Sequence, residues 1–299
     1  MVAHSNNQGE RLMAMKARSL PVLGPYGFLN LAYWDWEGPP GAPTVICVHG
    51  LVRNGRDFDP LAEALSTRFR VVCPDLPGRG RSDWLEDASG YSFPLYMAAL
   101  GALYARLDVP TVHWVGTSLG GVIGMLFAAL PGSPVRRLVL NDAGPIVPRE
   151  GLTRIAEHLA EEPGFSNRSE MEAYLRKVHV GYGTLSEAHW RHVVAHSART
   201  RNDGKLGLAY DPKIGEPFRA ESQQADAKDI DFTSFYDRIT CPTLVLRGGD
   251  SDLLRRTDAI GMTRRGPRAE IVEFSGVGHA PALMAEDQIA PVRDFLLAG

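Results

Sequence analysis

Two apolar patterns alternate along the first half of the chain. Leu29 to Trp36 and the runs Thr44 to Val48, Arg70 to Pro74, Thr111 to Val115 and Arg137 to Asn141 are short, near-continuous apolar stretches rich in β-branched residues. Such runs mark strands covered on both faces. Between them, Asp57 to Phe69 places Phe58, Leu61, Ala62 and Leu65 at helical spacing, and Ser92 to Leu107 and Leu119 to Leu130 read as helices. This order predicts an α/β fold whose mostly parallel sheet is covered by helices on both faces and joined by right-handed crossovers. Ligands bind such a sheet beyond the carboxyl ends of its strands.

The alternation stops after Pro145. From Pro148 to Asp237 the sequence is polar, with helical stretches near Glu150 to Glu161, Ser169 to Val178 and Ser186 to Arg199 and no clear strand. Strand character returns at Pro242 to Leu246 and Glu270 to Phe274, and Glu286 to Leu297 reads as a terminal helix. The last strands need the first block's sheet to pair with, so the expected organisation is a discontinuous core, residues 1–147 and 238–299, with a helical cap, 148–237, inserted over the carboxyl edge.

Composition narrows the function classes. Of 299 residues 44% are hydrophobic and 22% charged, and the formal net charge is −3. With acids and bases interspersed, no basic stripe is offered to nucleic acid. Val109 to Val135 holds no Asp, Glu, Lys or Arg and is long enough to cross a bilayer. It carries Pro110, His113, Gly116, Ser118, Gly120 and Gly121 near its middle, so it reads as a buried strand and helix rather than a membrane span. Cys47, Cys73 and Cys241 are odd in number and far apart, which disfavours a disulfide framework or zinc site. Residues 1–20 show no apolar secretory core, and a reducing cytoplasm is the expected location.

Candidate chemistry centres on Gly116-Thr117-Ser118-Leu119-Gly120-Gly121, which follows one expected strand and opens a helix. A nucleophile forced into a sharp strand-to-helix turn is exposed above the sheet only if small residues flank it at two places either side, as Gly116 and Gly120 do here. The helix N-terminus behind Ser118 favours a developing oxyanion. Far downstream, His279 lies in Ser275-Gly276-Val277-Gly278-His279, a glycine-rich loop from which an imidazole would serve as base to Ser118.

These segments resemble the α/β-hydrolase superfamily, and the resemblance covers nearly the whole chain. His49-Gly50-Leu51 is similar to the family's oxyanion loop, Asp75-Leu76-Pro77-Gly78-Arg79-Gly80-Arg81-Ser82 to its D-x-x-G-x-G-x-S loop, Ser118 to its elbow nucleophile, and Gly278-His279 to its terminal G-H. The resemblance implies a Ser118–His279 pair completed by an acid. Because related hydrolases mostly place that acid after the seventh core strand and some after the sixth, Asp252 is the expected member, with Asp142 and Asp250 as alternatives. It also implies an oxyanion hole built from the backbone N–H groups of Leu119 and Leu51, with His49 bracing the loop.

The implied activity is cofactor-free hydrolysis of a small or medium carboxylic ester through an acyl-enzyme. Alternatives using the same residues are a lactonase and a carbon–carbon bond hydrolase of an acidic diketone, in which Arg191 or Arg53 would grip a carboxylate. A non-catalytic ligand receptor on the same fold is the alternative of a different class. No cofactor is expected, because Gly78-Arg79-Gly80 is not a dinucleotide fingerprint and there is no phosphate loop. No metal is expected either: His189, His192 and His196 share a helix face, but the sequence places no acid or cysteine beside them. Arg53 and Arg56 read as surface or loop-bracing residues, and Phe165, Tyr174, Tyr182 and Trp190 as candidate pocket walls.

Overall fold

The computed structural model describes residues 15–159, 162–217 and 228–298. The end of the expected helix Glu150 to Glu161 and the first 14 residues lie outside them. Eight strands form one sheet: β1 (Met15–Gly24), β2 (Gly27–Trp36), β3 (Thr44–Val48), β4 (Arg70–Pro74), β5 (Val112–Thr117), β6 (Val135–Asn141), β11 (Thr243–Gly248) and β12 (Glu270–Phe274). Their spatial order is β1-β2-β4-β3-β5-β6-β11-β12. From β4 to β12 all neighbours are parallel, whereas β1 and β2 form an antiparallel hairpin at one edge.

The middle strands are apolar throughout because both their faces are covered. One core layer combines α2 (Phe93–Leu107) and α3 (Leu119–Ala128) with Val48, Trp114 and Leu138. The other combines α1 (Asp59–Leu65) and the terminal helix Glu286–Leu297 with Val45, Val115 and Leu246. The uncharged stretch Val109 to Val135 is β5 and α3, the latter buried along nearly its whole length. Among the described residues no helix is long and apolar enough to cross a membrane.

Between β6 and β11 lie α4 (Arg149–His158), α5 (Arg168–Val178) and α6 (Glu187–Ser197). Phe165, Met171, Leu175, Trp190, Val193 and Val194 give this segment its own apolar cluster, closed by Met284 of the C-terminal block. Two short antiparallel pairs also occur that the apolar pattern did not predict. Ile146–Val147 (β7) pairs with Ile230–Asp231 (β10), and Ala198–Thr200 (β8) with Leu206–Leu208 (β9). Runs of two or three residues are too short to display a period of two.

Candidate active site

The loops that leave β3, β5, β6, β11 and β12 open on the same edge of the sheet, because these strands are parallel and adjacent. Ser118 stands between β5 and α3 with φ 52° and ψ −117°. The turn closes so tightly that a Cβ on Gly116 would lie 2.2 Å from the carbonyl oxygen of Gly120, and one on Gly120 would lie 2.0 Å from that of Val48. Glycine is therefore required at both positions. The result is a serine whose hydroxyl faces a cavity while the first N–H groups of α3, including that of Leu119, have no acceptor within the helix.

His279 brings its Nε2 to 2.8 Å from Ser118 Oγ and its Nδ1 to 2.6 Å from Asp142 Oδ2. A carboxylate facing Nδ1 keeps the proton there and leaves the Nε2 lone pair for the serine hydroxyl. The histidine loop is fixed on several sides: Gly249 N–H donates to Phe274, Asp250 N–H to Val277, Gly278 N–H to Gly181, and Asn141 Nδ2 to the Pro281 carbonyl.

The acid beside the imidazole is thus Asp142, and the expectation of Asp252 is corrected. Asp252 is half exposed and pairs with Arg154, Nε to Oδ2 at 2.5 Å, while Asp250 is exposed. Asp142 is buried, with φ 51°, directly after β6. Its Oδ1 accepts the Gly248 N–H at 2.9 Å and its Oδ2 the Ser251 hydroxyl at 2.5 Å. Of residues 250–252 only Ser251 turns inward, so this loop contributes a hydroxyl and a backbone N–H to the site, not a carboxylate. The supporting Ser251 was missed because two neighbouring aspartates carried the stronger sequence signal.

The opposite side of the site is the His49 loop. A Cβ on Gly50 would lie 3.7 Å from Ser118 Cβ, and Leu51 and Leu119 both line the cavity beside the serine. His49 is buried, with Nδ1–H donating to the Gly50 carbonyl at 2.7 Å and Nε2 accepting the Leu76 N–H at 2.9 Å. Both nitrogens are engaged in the neutral form, and burial pushes the imidazole down to about 3. Asp75 anchors the adjoining loop by accepting the Gly55 and Arg81 N–H groups, and burial raises its carboxyl to about 6.

The cavity above Ser118 has a volume of about 220 Å³. Its walls are apolar and come from Phe93, Val122, Ile146, Leu152, Ile155 and Phe232, among others. Among the described residues no lysine or arginine lines it. Arg191 is exposed, and Arg53 is committed to both oxygens of Asp57 and to Ser197 Oγ. None of Phe165, Tyr174, Tyr182 and Trp190 lines it either; Phe165 and Trp190 belong to the apolar cluster of the inserted segment, with Tyr174 packed against it.

One set of metal-ligating side chains does converge among the described residues, away from the serine. The fold brings the buried Asp59 of α1 to His192 and His196 of α6, supplying the acid that the sequence did not place there. Arg56 already holds Asp59 Oδ2 at 2.5 Å, and His192 Nε2 donates to the Arg56 carbonyl at 2.8 Å. The arginine's fixed charge opposes a cation at the same carboxylate, and the cluster is a polar seam in which α6 hydrogen-bonds to the turn that leads into α1.

The family model for alpha/beta hydrolases matches residues 45–292. The chain belongs to the alpha/beta hydrolase family. Among members of this family, it is 42% identical to the 3-hydroxybutyrate-oligomer hydrolase of Cupriavidus necator over 91% of this chain and 94% of that protein. It is 27% identical to the pimeloyl-[acyl-carrier protein] methyl ester esterase of Xanthomonas campestris pv. campestris, over 83% and 92% of the two chains. The crystal structure of an alpha/beta hydrolase from Novosphingobium aromaticivorans superimposes with a TM-score of 0.84 at 33% identity, covering 95% of this chain and 99% of that one.

Proposed function

We propose that this hydrolase cleaves a small or medium carboxylic ester with an apolar body, through an acyl-enzyme on Ser118. The observation that carries this reading is the hydrogen-bonded chain Ser118–His279–Asp142, with links of 2.8 and 2.6 Å, at the floor of an apolar cavity. The family membership and the ester hydrolases among its relatives support it. His279 Nε2 takes the hydroxyl proton as Ser118 Oγ attacks the acyl carbon, and the resulting imidazolium is stabilised by Asp142. The oxyanion is received by the N–H groups of Leu119 and Leu51. On collapse the proton passes to the departing alcohol; His279 then deprotonates a water that attacks the acyl group and releases the acid.

Residues 148–237 act as the cap in this reading, since Leu152, Ile155 and Ile230 close the cavity over the serine. The apolar lining favours a neutral reacting segment, and a lactone is a second candidate for the same walls. Short oligomers of 3-hydroxybutyrate, the substrate in the name of the 42% identical relative, are the first compounds to test, beside p-nitrophenyl butyrate and a γ-lactone. Turnover by the wild type and its loss in Ser118→Ala, with fluorophosphonate labelling confined to the wild type, is the expected result. Labelling that persists in Ser118→Ala, or turnover that survives it, would overturn the assignment.

A further inference from the structure

Arg79 is completely buried, yet among the described residues no carboxylate lies within ion-pair distance of it. Gly78 and Gly80, with φ of 85° and 55°, turn the loop sharply on either side and drive the intervening side chain inward. Its guanidinium meets only neutral groups. Nε–H donates to the Leu51 carbonyl at 2.8 Å, and Nη1 donates to the Pro77 carbonyl at 2.7 Å and to Tyr96 Oη at 2.8 Å. The ring centroids of Tyr96 and Tyr91 lie 5.1 and 5.7 Å from its central carbon, a cation–π arrangement. Nη2 is buried with no hydrogen-bond partner. The carboxylate of Asp211 is reached only through Tyr91, whose hydroxyl donates to it at 2.6 Å.

A buried cation without a counter-ion is costly, and such a feature survives where it serves the site rather than the fold. Its location is specific. Leu51, Tyr91 and Tyr96 all line the cavity, so Arg79 lies one layer behind the wall that faces Ser118. It holds from the carbonyl side the residue whose N–H is one of the two oxyanion donors in the proposed mechanism. Loop preorganisation and a fixed positive charge both favour the state in which negative charge appears on the substrate oxygen.

We infer that Arg79 is a positioning residue of the oxyanion hole, orienting Leu51 and lending its uncompensated charge to the tetrahedral intermediate. The inference rests on the serine hydrolase reading. Arg79→Lys keeps the charge and loses the fork, while Arg79→Met loses both. With p-nitrophenyl butyrate, Arg79→Lys is expected to lower kcat about tenfold and Arg79→Met about a hundredfold, each with KM within about twofold of wild type. Affinity for a phenylboronic acid, which becomes tetrahedral on the serine, should fall in proportion to kcat/KM, a coupling that a merely structural arginine would not produce.

Cooperative thermal unfolding establishes that each variant is folded, and Arg79→Lys carries the test alone if Arg79→Met is not. A folded Arg79→Lys variant with wild-type kcat and boronic acid affinity would overturn the inference, as would an effect confined to KM. If instead wild-type turnover proves independent of Ser118, the underlying reading fails first.

Discussion

At the residue scale, the two aspartates that compete for the histidine separate cleanly. Asp142 is buried and accepts from Gly248, Ser251 and His279, whereas Asp252 is exposed and bound to Arg154. Asp142→Asn is expected to lower kcat on an ester by on the order of 10³-fold or more, because an amide facing Nδ1 favours the wrong tautomer and cannot stabilise an imidazolium. Asp252→Asn should leave kcat within about twofold, since an exposed ion pair contributes little. The reverse ranking in steady-state kinetics would return the role to Asp252. Ser118 and His279, which the fold brings to 2.8 Å of one another, were singled out in the sequence by their glycine contexts. The acid was not, because which carboxylate turns inward depends on the left-handed backbone at Asp142 and the inward turn of Ser251, neither of which has a local sequence signature. The expected pocket aromatics were misplaced for a related reason: a large apolar side chain such as Phe165 or Trp190 signals burial, not which core it joins.

The elements divide into those whose burial is recorded in their residues and those whose burial is not. β3 and β4 match the apolar runs residue for residue; β12 and the terminal helix also take their expected bounds, although β12, at the far edge of the sheet, is only partly covered. β1 was missed, because on an edge hairpin Met15 to Gly24 buries only Leu20 and Val22 and so shows little apolar contrast. The helix Arg256–Met262 also escaped, being barely two turns long. Within the β5–α3 element the glycines differ in kind from one elsewhere in the helical layer. Gly116→Ala and Gly120→Ala would drive a methyl into backbone carbonyls, and each is expected to cost at least about 3 kcal/mol or to prevent folding. Gly101, inside α2, has open space within 4 Å of the point where a methyl would sit, so Gly101→Ala should stabilise by about 0.5 to 1 kcal/mol. Urea unfolding midpoints check both, and a stabilising Gly116→Ala would contradict the tight-turn account.

The whole molecule carries several imidazoles that folding keeps neutral. Burial holds His49 at about 3 and His113 and His196 at about 4, against 6.5 in an open chain. A folded value below the unfolded one means that unfolding takes up protons between about pH 3 and 6.5, so stability is present above that window and is lost as pH falls through it. Asp75, raised by burial to about 6, acts in the opposite sense between its unfolded value of 3.8 and about 6, and partly offsets the loss. The expected result is a melting temperature lower at pH 5 than at pH 7, with net proton uptake on unfolding measured calorimetrically in two buffers. His113→Gln should flatten that dependence, and a melting temperature equal or higher at pH 5 would contradict it.

The same topology sets an order of assembly during synthesis. Ser118 and Asp142 follow the two strands of one strand–helix–strand crossover, while the imidazole comes from a position 137 residues beyond Asp142. On the growing polypeptide Ser118 and Asp142 are therefore available early and His279 late. In the proposed mechanism the base reaches Ser118 only once β12 has docked beside β11. Ribosome-stalled chains ending before residue 270 should accordingly resist a fluorophosphonate probe that labels the finished protein.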